Sequence, residues 1–188
     1  MATHTFVADR INLNNAIVID WDRGEKSSVP AAIDNSNGTF TTDDLTVTVF
    51  HYWRDANGKL QSSLSLRHQS APEKPDWPGC FQPEEAVLWT KNQGPDDGPI
   101  CIKFQKPVSA AGAQIQILGS GPFTGTLTVY DSTGQEVEKF SQPCQSSSAG
   151  DDSATFLGVE GADIGCIEFN TQDRHPTGFA INRLSIVR

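Results

Sequence analysis

The chain lacks a helical signature: no window of about eleven residues or more carries apolar side chains recurring at i, i+3 and i+4. That excludes an architecture built on amphipathic helices. It also lacks any cluster of lysine and arginine, and its net charge is −9. Without a basic face to displace counterions from phosphate, nucleic acid is excluded as a partner. Anionic membrane surfaces are disfavoured for the same reason. No apolar run approaches the roughly 20 residues that span a bilayer, so no membrane insertion is expected. Met1 to Arg10 shows no basic-then-apolar leader pattern. A cytosolic and an exported location both stay open. Catalytic signatures are missing too: there is no G-x-S-x-G elbow, H-E-x-x-H helix, P-loop or G-x-G-x-x-G turn. The reading leans away from an enzyme.

What is present is strand signal. Leu45–Val49 alternates with period two, and Leu60–Leu66 does so again across the turn residues Asp55-Ala56-Asn57-Gly58. Further alternating runs are Ile100–Phe104, Gln114–Leu118 and Thr126–Tyr130, the last followed by the turn Asp131-Ser132-Thr133-Gly134 and by Glu136–Phe140. Thr155–Val159, Ile164–Phe169 and Phe179–Val187 complete the set. One helical turn is expected at Pro83–Ala86, because Pro and acidic residues suit a helix start. At least nine short strands in 188 residues predict an all-β fold: a two-layer antiparallel β-sandwich of jelly-roll or galactose-binding-like type, forming a single domain over 1–188. The proline-punctuated stretch from Gln69 to Pro83 reads as a long ordered loop carrying Trp77 and Phe81. Pro143–Ser153 reads as a mobile one.

Four cysteines, Cys80, Cys101, Cys144 and Cys166, show no C-x-x-C spacing, which argues against a zinc ribbon or thioredoxin-like site. Alternation puts Cys101 on one face with Lys103, and Cys166 on one face with Glu168, away from the apolar side. Nearest-neighbour disulfides, Cys80 with Cys101 and Cys144 with Cys166, would close loops of about 20 residues worth ~3 kcal/mol each. Three connectivities are open, and four free thiols are the alternative.

Several runs together carry a resemblance: Ile19-Asp20-Trp21, Asp76–Phe81, Ala86–Thr90, Pro99–Phe104, Gly112–Gln116, Pro122–Gly125, Val129-Tyr130-Asp131, Ser153–Val159 and Phe179–Ser185. The chain resembles an uncharacterised family of bacterial β-sandwich domains, often found in exported proteins with a PEP-CTERM-type sorting anchor. The resemblance implies a sandwich fold and an extracellular or cell-surface location. The last strand is also similar to the closing strand of calcium-stabilised carbohydrate-binding sandwiches, where an Asp often stands in the place of Asn182. That likeness implies a structural calcium held by Asn182 with N-terminal oxygen donors among Asp20, Asp22, Asp34, Asn35 and Asn37, since calcium takes 6–8 oxygens. The segment Asp34–Gly38 is equally the pattern of an ordinary Asx/Gly turn.

The aromatics suggest a binding surface. Tyr52, Trp53, Trp77 and Trp89 could stack against the apolar C–H faces of pyranose rings, and Trp77 lies on a loop, where ligand contacts concentrate. The alternative is that the tryptophans anchor the core. His51, Tyr52, Arg54, Gln61 and Arg67 supply the residue types of a jelly-roll polysaccharide lyase, with His68 near His51 across the hairpin. The adjacent acids Glu84-Glu85 and Asp96-Asp97 point to opposite sides of any extended segment and make no acid/base pair. The leading expectation is a non-catalytic module that binds a carbohydrate or cell-surface ligand, with a structural calcium. An extracellular structural or protein-interaction domain is the second reading, and a small enzyme the third.

Overall fold

The computed structural model describes residues 3–21, 32–33, 38–42, 45–54, 60–61, 64–69, 77–90, 98–172 and 178–188, with backbone alone for 32–33, 53–54, 60–61 and 68. Within them the strands are β1 (Thr5–Val7), β2 (Ile17–Ile19), β3 (Ala32–Ile33), β4 (Thr39–Thr42), β5 (Leu45–His51), β6 (Trp53–Arg54), β7 (Leu60–Gln61) and β8 (Leu64–His68). They continue with β9 (Ala86–Trp89), β10 (Ile100–Ile117), β11 (Gly121–Asp131), β12 (Glu136–Ser146), β13 (Thr155–Thr171), β14 (Phe179–Ile181) and β15 (Leu184–Val187). The protein is an all-β, antiparallel sandwich. The single helical element among the described residues is a 3₁₀ turn at Arg10–Asn12, capped by the Asp9 carboxylate accepting from the Ile11 N–H. The helical turn expected at Pro83–Ala86 does not form. Glu84 instead adopts φ 66°, and a tight turn closes with the Glu85 N–H donating to the Gln82 carbonyl.

Alternation produces the layers. In β5 the inward residues Leu45, Val47, Val49 and His51 are buried, while Thr46, Thr48 and Phe50 are half-exposed on the other face. Two strands are far longer than the sequence suggests, because β10 and β13 each join two expected strands into one. Pro107 falls between the two expected strands Ile100–Phe104 and Gln114–Leu118. It lies in a bulged stretch, where the β10–β13 register shifts between Lys103 and Ala110, and bulges are where a strand tolerates proline.

The bulges divide these strands between layers. Ile100–Phe104 of β10 pairs with β5 and with the C-terminal half of β13, giving the first layer, β12-β11-β13-β10-β5-β4. The later half of β10 pairs with the N-terminal half of β13, with β14 and with β15, which bring in β1, β2, β9, β8 and β3. One apolar core joins Ile102, Leu127 and Phe169 of the first layer to Ile115, Leu157 and Ile181 of the second. The approach is close at Gly125 of β11, where a Cβ would stand 2.9 Å from Leu157 Cδ1 and 3.0 Å from Cys144 Sγ.

A smaller cluster pins the proline-rich loop. Trp77, Cys80 and Phe81 are buried with Val87, Ala154 and Ala180. The Gln69 amide donates to the Gly79 carbonyl at 2.9 Å, and Gln116 Oε1 accepts from the Cys80 N–H at 2.7 Å. Of the segment Pro143–Ser153 expected to be mobile, residues up to Ser146 extend β12 and Gly150 donates to the Gly79 carbonyl; Ala154, just past it, donates to the Cys80 carbonyl.

Candidate functional site

The pairing register assembles a polar row on the outer face of the first layer. Phe50 lies opposite Cys101, Cys101 opposite Glu168, and Glu168 opposite Thr128. The adjacent row runs Thr48, Lys103, Cys166, Tyr130 and Glu136. Tyr52, one residue past β5, continues the Phe50 side and is 38% exposed. Its ring stacks on Phe50, centroids 6.3 Å apart and planes 17° apart. Glu168 sits at the centre. Its Oε2 accepts from the Tyr130 hydroxyl at 2.9 Å, and its Oε1 from the Tyr52 hydroxyl at 3.4 Å and the Cys101 thiol at 3.3 Å.

These donors stay protonated. Partial burial first, then the neighbouring Cys101 and Glu168, push the Tyr52 phenol up to about 12. Burial and the hydrogen bond to Glu168 raise Tyr130 further. Burial followed by Glu168 raises the Cys101 thiol beyond any physiological range, and the same causes bring Cys166 to about 12. A thiol held in its neutral form is a poor nucleophile. The arrangement holds one carboxylate in a fixed orientation beside a half-exposed aromatic surface.

All four cysteines are free thiols, so neither expected disulfide forms. Cys80 is bonded to Gln116 in the loop cluster, Cys144 lies in the main core, and Cys101 and Cys166 share the outer face. The face assignment of Cys101 holds, yet it is fully buried there, between Phe50 and Glu168.

The tryptophan platform is corrected as well. Trp77 is 2% exposed and packs on Trp89 with centroids 5.5 Å apart, so it anchors the loop from inside. Trp89 is half-buried, its ring covered by the Arg67 guanidinium at 5.1 Å. The Trp53 side chain lies outside the described residues. Among the described side chains of the four expected contacts, Tyr52 alone stands on the exposed face. The lyase set is split by the same alternation: His51 is buried on the inner face beside Ile100, whereas Tyr52 points outward. The Arg54, Gln61 and His68 side chains lie outside the described residues.

Asn182 does not fit a calcium ligand. It is fully buried, and its Oδ1 already accepts from the Gln114 N–H at 2.9 Å and from Arg10 Nη2 at 3.0 Å. Its amide donates to both Glu85 oxygens at 3.1 Å and to Gln114 Oε1, and its carbonyl takes the Trp21 indole N–H at 2.6 Å. Glu85 is also paired with Arg183 at 2.9 Å. Burial raises the Glu85 carboxyl, opposed by Asn182 and the two arginines. The cation at this place is the chain's own Arg10. Asp20 is exposed and lines a cleft of about 510 Å³ between β2 and β4, together with Val18, Thr39 and Thr41. Asp22, Asp34, Asn35 and Asn37 lie outside the described residues. No group of three or more His, Cys, Asp or Glu able to hold a metal ion occurs among the described residues, and no helix there is long and apolar enough to cross a membrane.

No family profile matches the chain, and no curated protein matches it. Among solved structures it is similar to a DUF4465 family protein from Bacteroides caccae, with TM-score 0.49 and 11% identity over 93% of this chain and 99% of that one. It is also similar to a family 29 carbohydrate-binding module from Piromyces equi, with TM-score 0.32 and 15% identity over 76% of this chain and 91% of that one. At these identities the likeness concerns the fold alone.

Proposed function

We propose that the domain is a non-catalytic carbohydrate-binding module that uses the outer face of its first layer. The observation that carries this reading is the Phe50–Tyr52 stack beside Glu168, whose carboxylate is held by three protonated donors. A pyranose ring lays its C–H face on an aromatic ring while its hydroxyls donate to a fixed acceptor, and a group fixed before binding loses little entropy on binding. The Cys101 thiol is held neutral, His51 faces inward, and Glu168 is engaged by its three donors, which supports a binding rather than a catalytic reading.

A glycan array run with and without calcium tests the proposal, with Tyr52→Ala as control. Binding that Tyr52→Ala removes is expected; an array on which no glycan is retained sinks it. A calcium-dependent rise in melting temperature would point to the N-terminal donors Asp20, Asp22, Asp34 and Asn37, because ligand binding to the folded state alone stabilises it. On the family resemblance alone we extend the reading to the cell exterior, where such a module meets glycans. Recovery of the natural protein solely from the cytosolic fraction would refute that extension.

A further inference from the structure

Every donor around Glu168 is turned inward. The Tyr130 and Tyr52 hydroxyls and the Cys101 thiol all spend their hydrogens on this one carboxylate. Toward solvent, the centre of the face therefore offers acceptors: lone pairs of the carboxylate and of the two phenolic oxygens. A second acid, Glu136, lies opposite Tyr130 and adds negative potential there. The cations on this face, Lys103 and Lys139, are exposed, one on the strand beside Glu168 and one on the edge strand opposite Thr128. Cross-strand neighbours stand about 5 Å apart, inside the screening length of about 10 Å, so both offset part of the negative potential. They are flexible, hydrated point charges, however, whereas the Glu168 carboxylate is held in place by its three donors.

Resting on the reading of this face as a sugar-binding surface, we infer that it selects non-acidic sugars and rejects uronic acids, with Glu168 as the specificity-determining residue. Hydroxyl-rich neutral sugars and protonated amino sugars bring the donors that the centre lacks. A uronate brings a carboxylate to a fixed carboxylate, and such a like-charge contact discriminates by repulsion.

The test measures binding of oligoglucosamine, oligoglucose and oligogalacturonate of equal length to the intact chain and to Glu168→Gln, at a pH where the amine is protonated. The wild type is expected to bind the first two at least about tenfold more tightly than the uronate, with oligoglucosamine tightest and weakened by salt. In Glu168→Gln, which keeps the shape and removes the charge, the uronate gap should narrow and the amino-sugar advantage should fall. Uronate binding equal to that of oligoglucose overturns the specificity while leaving the sugar-binding reading intact. An unchanged ranking in folded Glu168→Gln overturns the role of Glu168. If that variant fails to fold, the wild-type ranking and its salt dependence decide. Failure of all three sugars, with no glycan retained on the array, removes both readings together.

Discussion

Two carboxylates in this molecule are surrounded by donors, and they differ in what is left over. Around Glu85, whose side chain is 5% exposed, the partners are mostly inside the protein: Asn182 and Gln114 are buried, and the part-buried Arg10 and Arg183 complete the knot. Around Glu168, the donors also come from the chain, but the rings that carry them are half-exposed on a sheet face. The first arrangement is a strut and the second a surface. Burial, rather than the hydrogen-bond pattern, separates them.

The comparison can be broken in four places. Trp77→Ala should cost about 4 kcal/mol, as large-to-small changes at buried aromatic sites do, and leave sugar binding by the folded fraction unchanged. Denaturant melts with a parallel binding assay read both. Loss of binding without loss of stability would return the loop to the list of contact surfaces. Asn182→Leu should cost roughly 3 kcal/mol, since it strands the buried Gln114 N–H and takes one partner each from Arg10 and Glu85. A melt unaltered by this change would mean the knot is not a strut.

Tyr52→Ala reverses the pattern. Its effect on stability should stay below about 1 kcal/mol, as at most exposed positions, while sugar affinity falls about tenfold or more. Calorimetric titration measures the second quantity and thermal melting the first. The smallest effect concerns pH. The chain has two tyrosines, Tyr52 and Tyr130, and both stand on this face, so the ultraviolet band of tyrosinate reports the site alone. Their pKa values are raised on folding, as are those of Cys101 and Cys166. The folded state thus holds protons that the unfolded chain releases, and stability falls as pH rises. For Tyr52 that window runs from the ordinary phenol value of 10.0 to about 12, and for Cys166 from the ordinary thiol value of 9.0 to about 12. Stability should be level below that range, and tyrosinate absorbance should appear late and together with unfolding. Ordinary tyrosine titration in the folded protein would refute the packed geometry.

Much of the fold was legible because alternation is local. The inward set of β5 and the shared faces of Cys101 with Lys103 and Cys166 with Glu168 follow from period two, and the structure keeps them. The length of β10 was not legible: Pro107 and the polar residues near it look like a turn, and only the partner strand shows that they form a bulge. Gly161-Ala162-Asp163 hid the continuity of β13 in the same way, with Asp163 at φ 61°. The site was half legible. Tyr52 was singled out as an aromatic, and Phe50 could have been found as an aromatic on the polar side of an alternating strand. That Tyr130, Cys101 and Tyr52 converge on Glu168 depends on the register of three strand pairings, which no single segment encodes. Trp77 misled because a proline-rich loop looks exposed, and its burial under Trp89 is a tertiary fact.

Because β10 and β13 each run through both layers, the two sheets are sewn together by shared backbone. They are paired with each other at eleven positions in all, four before the bulged stretch, one within it and six after it. The layers can slip past one another only by tearing strands that belong to both, so a force that shears one sheet against the other is spread over many hydrogen bonds at once.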